Sequence, residues 1–127
     1  MLKPHRRAEL SFEYLAEISQ EGKNSRVFKA TDNQMKAQLV IKQIKKSTMA
    51  QDEFFDESSI LYLSSHPNVV PIHYACEDND YVYLAMPYYA AGSLNRLISS
   101  RFLTVREVIK YAAQFLSGLH NIHSKRL

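Results

Sequence analysis

The sequence lacks the features of secreted and membrane-spanning proteins. Its 127 residues include a single cysteine, Cys76, so no disulfide can form within the chain and a reducing compartment is expected. No apolar run approaches the roughly 20 residues of a membrane-spanning helix. The N-terminus has no apolar stretch of the secretory type, and there are no repeats or low-complexity segments. We therefore expect a cytoplasmic location.

There is also little excess of charge of either sign. The net charge is +3, with 46% hydrophobic and 23% charged residues, which is ordinary for a globular domain. A small basic cluster near the N-terminus contains Lys3, His5, Arg6 and Arg7. A solvated tail explains this cluster more simply than a nucleic-acid or membrane patch, so neither partner is expected. The length suits one domain, or a small lobe and part of another.

Strand-like runs dominate the first two thirds of the chain. Residues 12–18, 25–30 and 38–44 combine β-branched or aromatic residues with short polar turns at 20–24 and 31–34. Connections this short allow antiparallel neighbours but no crossover helix. Two further strands are predicted at 69–76 and 81–86, joined by a turn at 77–80.

Helical patterns separate and follow these strands. Thr48 and Gln51 have capping-box spacing, and the helix that they open should end near residues 64–65 because Pro67 follows. Later, Ser93 can cap a short helix, and Thr104 opens a longer one. The apolar residues of that last helix, between 105 and 122, form a wide stripe typical of a buried helix.

Several local motifs occur in a fixed order along this pattern. They are Leu39-Val40-Ile41-Lys42, Phe54-Phe55-Asp56-Glu57, His66-Pro67-Asn68-Val69-Val70, Tyr83-Leu84-Ala85-Met86-Pro87-Tyr88 and Gly92-Ser93-Leu94. In this order they resemble the protein kinase family. The resemblance implies an α+β fold with a five-stranded antiparallel sheet, one regulatory helix and the first two helices of an incomplete C-terminal lobe.

The resemblance also divides the chain into parts. It implies an N-terminal basic extension at 1–11, an ATP-binding lobe at 12–87, and the hinge with two helices of the second lobe at 88–127. The family's catalytic aspartate and its Mg²⁺ ligands would follow residue 127, so we expect no metal site in these residues and no phosphoryl transfer by them alone.

Lys42 is the candidate for binding the phosphates of ATP. A lysine at the end of a buried strand needs a carboxylate, a phosphate or water for its ammonium group. The resemblance implies that Lys42 faces the phosphates and that Glu57, which is 15 residues later, holds it by an ion pair. The alternative is a strand-end lysine in water and a solvated glutamate.

Further residues are implied as parts of the nucleotide site. The phosphate-covering turn would contain Gln20, Gly22 and Ser25, where the family has three glycines, so a looser cover is expected. An ordinary hairpin turn is the alternative. Val27 and Val40 would enclose the adenine ring, Met86 would close the back, and Pro87 and Tyr89 would offer backbone groups at the hinge. Proline fits there because only its carbonyl is needed.

Two functions are therefore open. The first is the ATP-binding portion of a protein kinase, expected to be of the Ser/Thr type, which in intact form uses Mg²⁺ and acts on a protein substrate. The second is a kinase-like binding or scaffold module without phosphoryl transfer, which the imperfect glycine turn favours. In either case, an exposed helix at 104–123 is expected to promote self-association.

Overall fold

Five strands form one antiparallel sheet, and two helices follow it. The structure is a computed structural model that describes residues 4–21, 24–48, 59 and 62–125. The sheet has the order β1-β2-β3-β5-β4. Its strands are β1 (Phe12–Glu21), β2 (Ser25–Asp32), β3 (Ala37–Lys45), β4 (Tyr74–Glu77) and β5 (Tyr81–Pro87), and the helices are α1 (Leu94–Ser100) and α2 (Val105–Ser124). The predicted α+β class and strand arrangement are confirmed.

Three predicted boundaries are wrong. The first strand, predicted over 12–18 with a turn from residue 20, continues to Glu21. The sequence predicts a strand over 69–76, but β4 begins only at Tyr74. Pro71 lies in the first part of that run and has no N–H to donate to a strand ladder. The turn between β2 and β3 is also later than predicted, because Thr31 and Asp32 still belong to β2.

The helix predicted to begin after Thr48 lies largely outside the described residues. Lys46–Thr48 forms a short 3₁₀ helix directly after β3. Residues 59, 62 and 63 are helical, and the chain has left the helix at Ser64. The predicted end of this helix before Pro67 is therefore confirmed.

The two faces of the sheet carry different side chains. One face holds a buried cluster of Ala30, Leu39, Ile41 and Ala85. The other face holds a second buried cluster, in which Ile72, from the segment before β4, packs with Val82 and Leu84. Ile44 of β3 packs against this second cluster, whereas Leu39 and Ile41 belong to the first, so side chains of β3 contribute to opposite faces as the period of a strand requires.

A buried aspartate fixes the hairpin between β2 and β3. Asp32 is 3% exposed, and its Oδ1 accepts hydrogen bonds from the backbone N–H groups of Gln34 and Met35, both at 2.8 Å. Its Oδ2 accepts from the Tyr74 hydroxyl at 2.9 Å. These bonds, first of all the one from Met35, keep the pKa of Asp32 below its ordinary value. The carboxylate thus ties the hairpin to β4.

Both late helices begin as the sequence predicts. The Ser93 hydroxyl accepts from the Arg96 N–H at the start of α1. At the start of α2, Thr104 and Glu107 form a complete capping box. No helix among the residues described has both the length and the apolar character needed to cross a membrane.

The loop before β4 contacts the middle of α2. The His66 Nδ1 accepts a hydrogen bond from the Asn68 N–H at 3.0 Å, which makes His66 a loop-stabilising residue. Its Nε2 lies 3.4 Å from the Ser117 hydroxyl oxygen on α2. Gly118, the buried residue next to Ser117, faces the Asn68 backbone. This contact joins the sheet side of the molecule to the helix that follows it.

Candidate functional site

A cavity of about 360 Å³ lies between the sheet and the segment that follows β5. Its volume falls within the roughly 300–1,000 Å³ of small-molecule sites. Most of its lining side chains are apolar. The lining residues are Ile18, Val27, Val40, Val70, Met86, Pro87, Tyr88, Tyr89, Ala90, Gly92, Ser93 and Arg96.

The cavity brings together five of the residues singled out from the sequence. Val27 and Val40 reach it from the neighbouring strands β2 and β3, and Met86 and Pro87 reach it from the end of β5. Tyr89 follows two residues later. These five residues are separated by up to 62 positions in the sequence, 89 − 27, and meet because β3 lies between β2 and β5.

Lys42 lies on the same face of the sheet as the cavity. It stands directly opposite Val27 on β2 and Leu84 on β5, and Val40 stands opposite Met86. Residues directly opposite each other share a face of the sheet, as do residues two apart along a strand. Lys42 is therefore displaced by about 7 Å along β3 from Val40, and its side chain is half-buried.

Of the remaining predicted site residues, Ser25 is not among the described residues that line the cavity. Gln20 lies in β1, one position before the end of the strand. Ser25 pairs with Glu21 and Ile44, and its hydroxyl is buried without a hydrogen-bond partner among the described residues. Gly22 and Glu57 lie outside the described residues, so the predicted pairing of Glu57 with Lys42 stays a prediction.

The segment after β5 turns sharply beside the cavity. The Gly92 N–H donates to the Tyr89 carbonyl at 3.1 Å. Gly92 has a φ of 83°, a conformation that side chains other than glycine rarely adopt. The Lys29 ammonium of β2 lies 4.5 Å from the centre of the Tyr88 ring, which places a cation–π contact between the sheet and this segment.

Seven of the described lining residues were not predicted as site residues: four belong to the segment that follows β5 (Tyr88, Ala90, Gly92 and Ser93), and three come from elsewhere. Ile18 enters from β1 next to a shift in the β1–β2 register, and Val70 enters from the loop before β4. Arg96 enters from α1 and is the one charged side chain among the described lining residues. Only Ile18 carried a usable signal, because it is the last apolar residue before the turn at Gly22.

The chemistry of this arrangement suits a flat apolar ring attached to an anionic group. Valine side chains from two strands and a methionine offer an apolar slot, and the ammonium of Lys42 lies beyond it on the same face. No group of three or more His, Cys, Asp or Glu side chains that could hold a metal ion occurs within the described part of the chain.

The fold agrees with the comparison with known families. The protein kinase domain family matches residues 15–127, so the chain belongs to the protein kinase family. The chain is 30% identical over 100 residues to a probable inactive serine/threonine-protein kinase, samkD, of Dictyostelium discoideum. It is 30% identical over 105 residues to a probable myosin light chain kinase of the same organism. A tyrosine-protein kinase of Drosophila melanogaster is 26% identical over 92 residues.

These alignments cover most of this chain but a minor part of each relative. They include 76%, 82% and 70% of this chain, and 18%, 34% and 17% of the respective relatives. The relatives carry both serine/threonine and tyrosine kinase names. The similarity therefore shows the family, while the choice of substrate hydroxyl and the activity of the whole protein are matters of proposal.

Proposed function

We propose that this chain is the ATP-binding portion of a protein kinase, and that the cavity beside β3 is the nucleotide site. The observation that carries this proposal is the meeting of Val27, Val40 and Met86 around one apolar slot, with Lys42 next to it on the same face. The adenine ring would occupy the slot. A cation at this place would offset the negative charge of the phosphates.

The other residues have proposed roles at the same site. Pro87 and Tyr89 would present a carbonyl and an N–H to the edge of the adenine ring. Gln20, Gly22 and Ser25 would form the turn over the phosphates, and Glu57 would orient the Lys42 ammonium. The proposed parts are the basic extension at 1–11, the ATP-binding lobe at 12–87, and the hinge with two helices at 88–127.

In the intact protein we propose transfer of the ATP γ-phosphate to a protein hydroxyl, with serine or threonine as the expected acceptor. Mg²⁺ would be held by residues of the intact protein other than those described here. A cytoplasmic location is proposed as well, in keeping with the single cysteine.

A binding experiment with two ligands tests the role of Lys42. Lys42→Ala should weaken the binding of ATP–Mg²⁺ by roughly 10- to 100-fold, because a hydrogen bond to a charged group is lost. The same variant should leave adenosine binding nearly unchanged, since adenosine has no phosphate. Ligand-observed NMR titration can measure the weak affinities expected here. Lys110→Ala, an exposed lysine change on α2, is the matched control.

Each outcome of this experiment has a defined meaning. Equal ATP affinity for the wild-type chain and Lys42→Ala would rule out the phosphate role of Lys42. Similar weakening for ATP and adenosine would mean that the substitution disturbs the sheet instead of a phosphate contact. If the wild-type chain binds neither ATP nor adenosine, the proposal that the cavity is a nucleotide site is wrong.

A kinase-like module without phosphoryl transfer is the second candidate. It is favoured by Gln20 and Ser25, which replace two glycines of the phosphate-covering turn, because side chains there restrict the approach of backbone N–H groups to phosphate. A relative that is named probable inactive adds support. Phosphate transfer from labelled ATP by the intact protein to a serine- or threonine-containing protein separates the two candidates, since the second predicts none.

A further inference from the structure

We propose that Lys29 is a positioning residue of the cavity, and that its ammonium group holds the segment after β5 in place through the ring of Tyr88. This inference rests on the proposed nucleotide site. In that site Lys29 acts on the backbone that meets the adenine ring, and it does not contact the ligand itself.

Lys29 lies on the face of the sheet that forms the cavity. On β2 it is two residues after Val27, and it stands directly opposite Val40 on β3. Residues related in these two ways share a face of a sheet. Lys29 is nevertheless not among the described residues that line the cavity. It therefore lies on the same face as the cavity but outside its wall.

The Tyr88 ring is the group that Lys29 contacts. The Lys29 ammonium lies 4.5 Å from the centre of this ring, within the roughly 6 Å over which a cation is attracted to an aromatic face. Among the residues that the structure describes, no carboxylate forms an ion pair with Lys29. Both side chains are half-buried, which strengthens a cation–π contact relative to one in water. Tyr88 itself belongs to the cavity wall.

Tyr88 lies at the point where the chain leaves the sheet. The ladder between β3 and β5 ends at Pro87, one residue earlier. Beyond it, the Gly92 N–H donates to the Tyr89 carbonyl, and this bond lies within the segment itself. The contact between Tyr88 and Lys29 therefore ties the segment to β2 directly after its backbone pairing has ended.

The position of Tyr88 determines the position of two backbone groups of the proposed site. The Pro87 carbonyl and the Tyr89 N–H belong to the two planar peptide units that flank the Cα of Tyr88. A displacement of Tyr88 therefore moves both groups, and hydrogen bonds weaken steeply when their angles deviate. By holding the Tyr88 ring, Lys29 keeps these two groups directed at the edge of the adenine ring.

The test compares two ligands with the complete 127-residue chain. ATP–Mg²⁺ and adenosine are titrated against the wild-type chain and Lys29→Met, which keeps an unbranched side chain but removes the charge. We expect Lys29→Met to weaken both ligands by the same factor, roughly two- to five-fold, as for the loss of one partly exposed cation–π contact. This equal loss distinguishes Lys29 from Lys42, whose removal should affect ATP alone. Lys110→Met, an exposed change on α2, is the control and should leave both affinities unchanged.

Conservative variants and a double variant separate this role from a general effect on packing. Lys29→Arg keeps a cation and Tyr88→Phe keeps an aromatic ring, so each should weaken adenosine less than Lys29→Met does. Tyr88→Leu removes the ring. In the Tyr88→Leu background, Lys29→Met should have no further effect on adenosine, because the contact that it would remove is already absent.

The contact itself can be observed without a ligand. Protons held over the face of an aromatic ring resonate at unusually high field in NMR spectra. The side-chain methylene protons of Lys29 should do so in the wild-type chain and in Tyr88→Phe, and should return to the ordinary lysine range in Tyr88→Leu. The resonances are assigned by their disappearance in Lys29→Met.

Several results would overturn the inference. A loss confined to ATP would assign Lys29 to the phosphates, and additive losses in the double variant would mean that Lys29 and Tyr88 act separately. Ordinary lysine resonances in the wild-type chain would show that the contact is absent. Unchanged affinities for Lys29→Met, with ligands that bind the wild-type chain, would overturn the role of Lys29 and leave the proposed function intact. If the wild-type chain binds neither ligand, the nucleotide site and the role of Lys29 are both wrong.

Discussion

Gly118 allows α2 to approach the loop before β4 more closely than any side chain would permit. A Cβ at this position would lie 2.5 Å from the backbone oxygen of Asn68, and a backbone atom cannot rotate away as a side chain can. Replacing glycine by alanine inside a helix normally stabilises the helix by about 1 kcal/mol. We expect Gly118→Ala to do the opposite and to lower the free energy of unfolding by roughly 1–3 kcal/mol, because the loop or the helix must move.

Urea denaturation of two variants measures this effect. Lys110→Ala, at an exposed position of the same helix, should change the free energy of unfolding by less than about 0.5 kcal/mol. If Gly118→Ala proves as stable as the wild-type chain or more stable, the close approach of α2 to Asn68 is wrong.

Individual residues of the cavity differ in how far the sequence could predict them. Val27, Val40 and Met86 could be named because each falls at a position of the segments that resemble the protein kinase family, and the observed strand register brings the three together. Arg96 could not, because its place depends on the turn at Gly92, which sets where α1 begins. Gly118 was missed for a related reason, since helical periodicity marks apolar faces but not the absence of a side chain.

At the scale of elements, a charge network holds the start of α2. The Arg101 guanidinium donates two hydrogen bonds to the Glu107 carboxylate, at 2.9 and 2.7 Å, and the Thr104 N–H donates a third at 3.1 Å. These contacts, first of all those from Arg101, lower the pKa of Glu107 from 4.5 to about 2. A carboxylate near the first turn also interacts favourably with the helix dipole.

This network predicts an acid sensitivity with a definite sign. Because the pKa of Glu107 is lowered in the folded chain, its contribution to stability is present above pH 4.5 and is lost as the pH falls towards about 2. Thermal melts followed by circular dichroism give the Tm at each pH in this window. The Tm should fall more steeply with decreasing pH for the wild-type chain than for Glu107→Gln. The glutamine keeps a side chain that can complete the capping box but does not titrate.

The partner arginine provides the control for this prediction. Arg101→Gln removes the largest cause of the lowered pKa of Glu107. The contribution of this carboxylate to stability should therefore be lost at a higher pH than in the wild-type chain. Indistinguishable pH profiles for the wild-type chain and Glu107→Gln would show that the carboxylate does not stabilise α2.

Elements with local signals were the most predictable. The capping box at Thr104 and the N-cap at Ser93 depend on neighbours within three residues, and both are confirmed. The strand predicted over 69–76 was wrong in its first part, because an apolar residue there is buried against the sheet from outside the strand. Ile72 shows this: it is buried against Val82 and Leu84 from outside β4. Buried apolar residues are often also paired in a strand. The sequence pattern predicts that such a residue is buried, but it does not predict whether its backbone joins the sheet.

At the scale of the whole molecule, α2 presents an exposed apolar face to solvent. We define this face by five residues that recur at helical spacing, with exposed fractions between 51% and 78%: Val105, Val108, Ile109, Phe115 and Leu116. An apolar stripe of this width is typical of a helix that packs against another element. Contiguous exposed apolar surface promotes association, because burying it removes it from water.

We therefore expect the 127-residue chain to self-associate through the apolar face of α2. Sedimentation velocity over a range of concentrations should show a weight-average mass that rises with concentration. Ile109→Lys places a charge in the middle of the face and should shift the distribution towards monomer. Met35→Lys introduces the same charge at a residue that is 79% exposed in the turn between β2 and β3, away from α2, and should leave association unchanged. A single monomeric species at every concentration, with a cooperative thermal transition, would contradict the prediction. It would mean that the five apolar side chains are tolerated in water at the surface of a stable monomer.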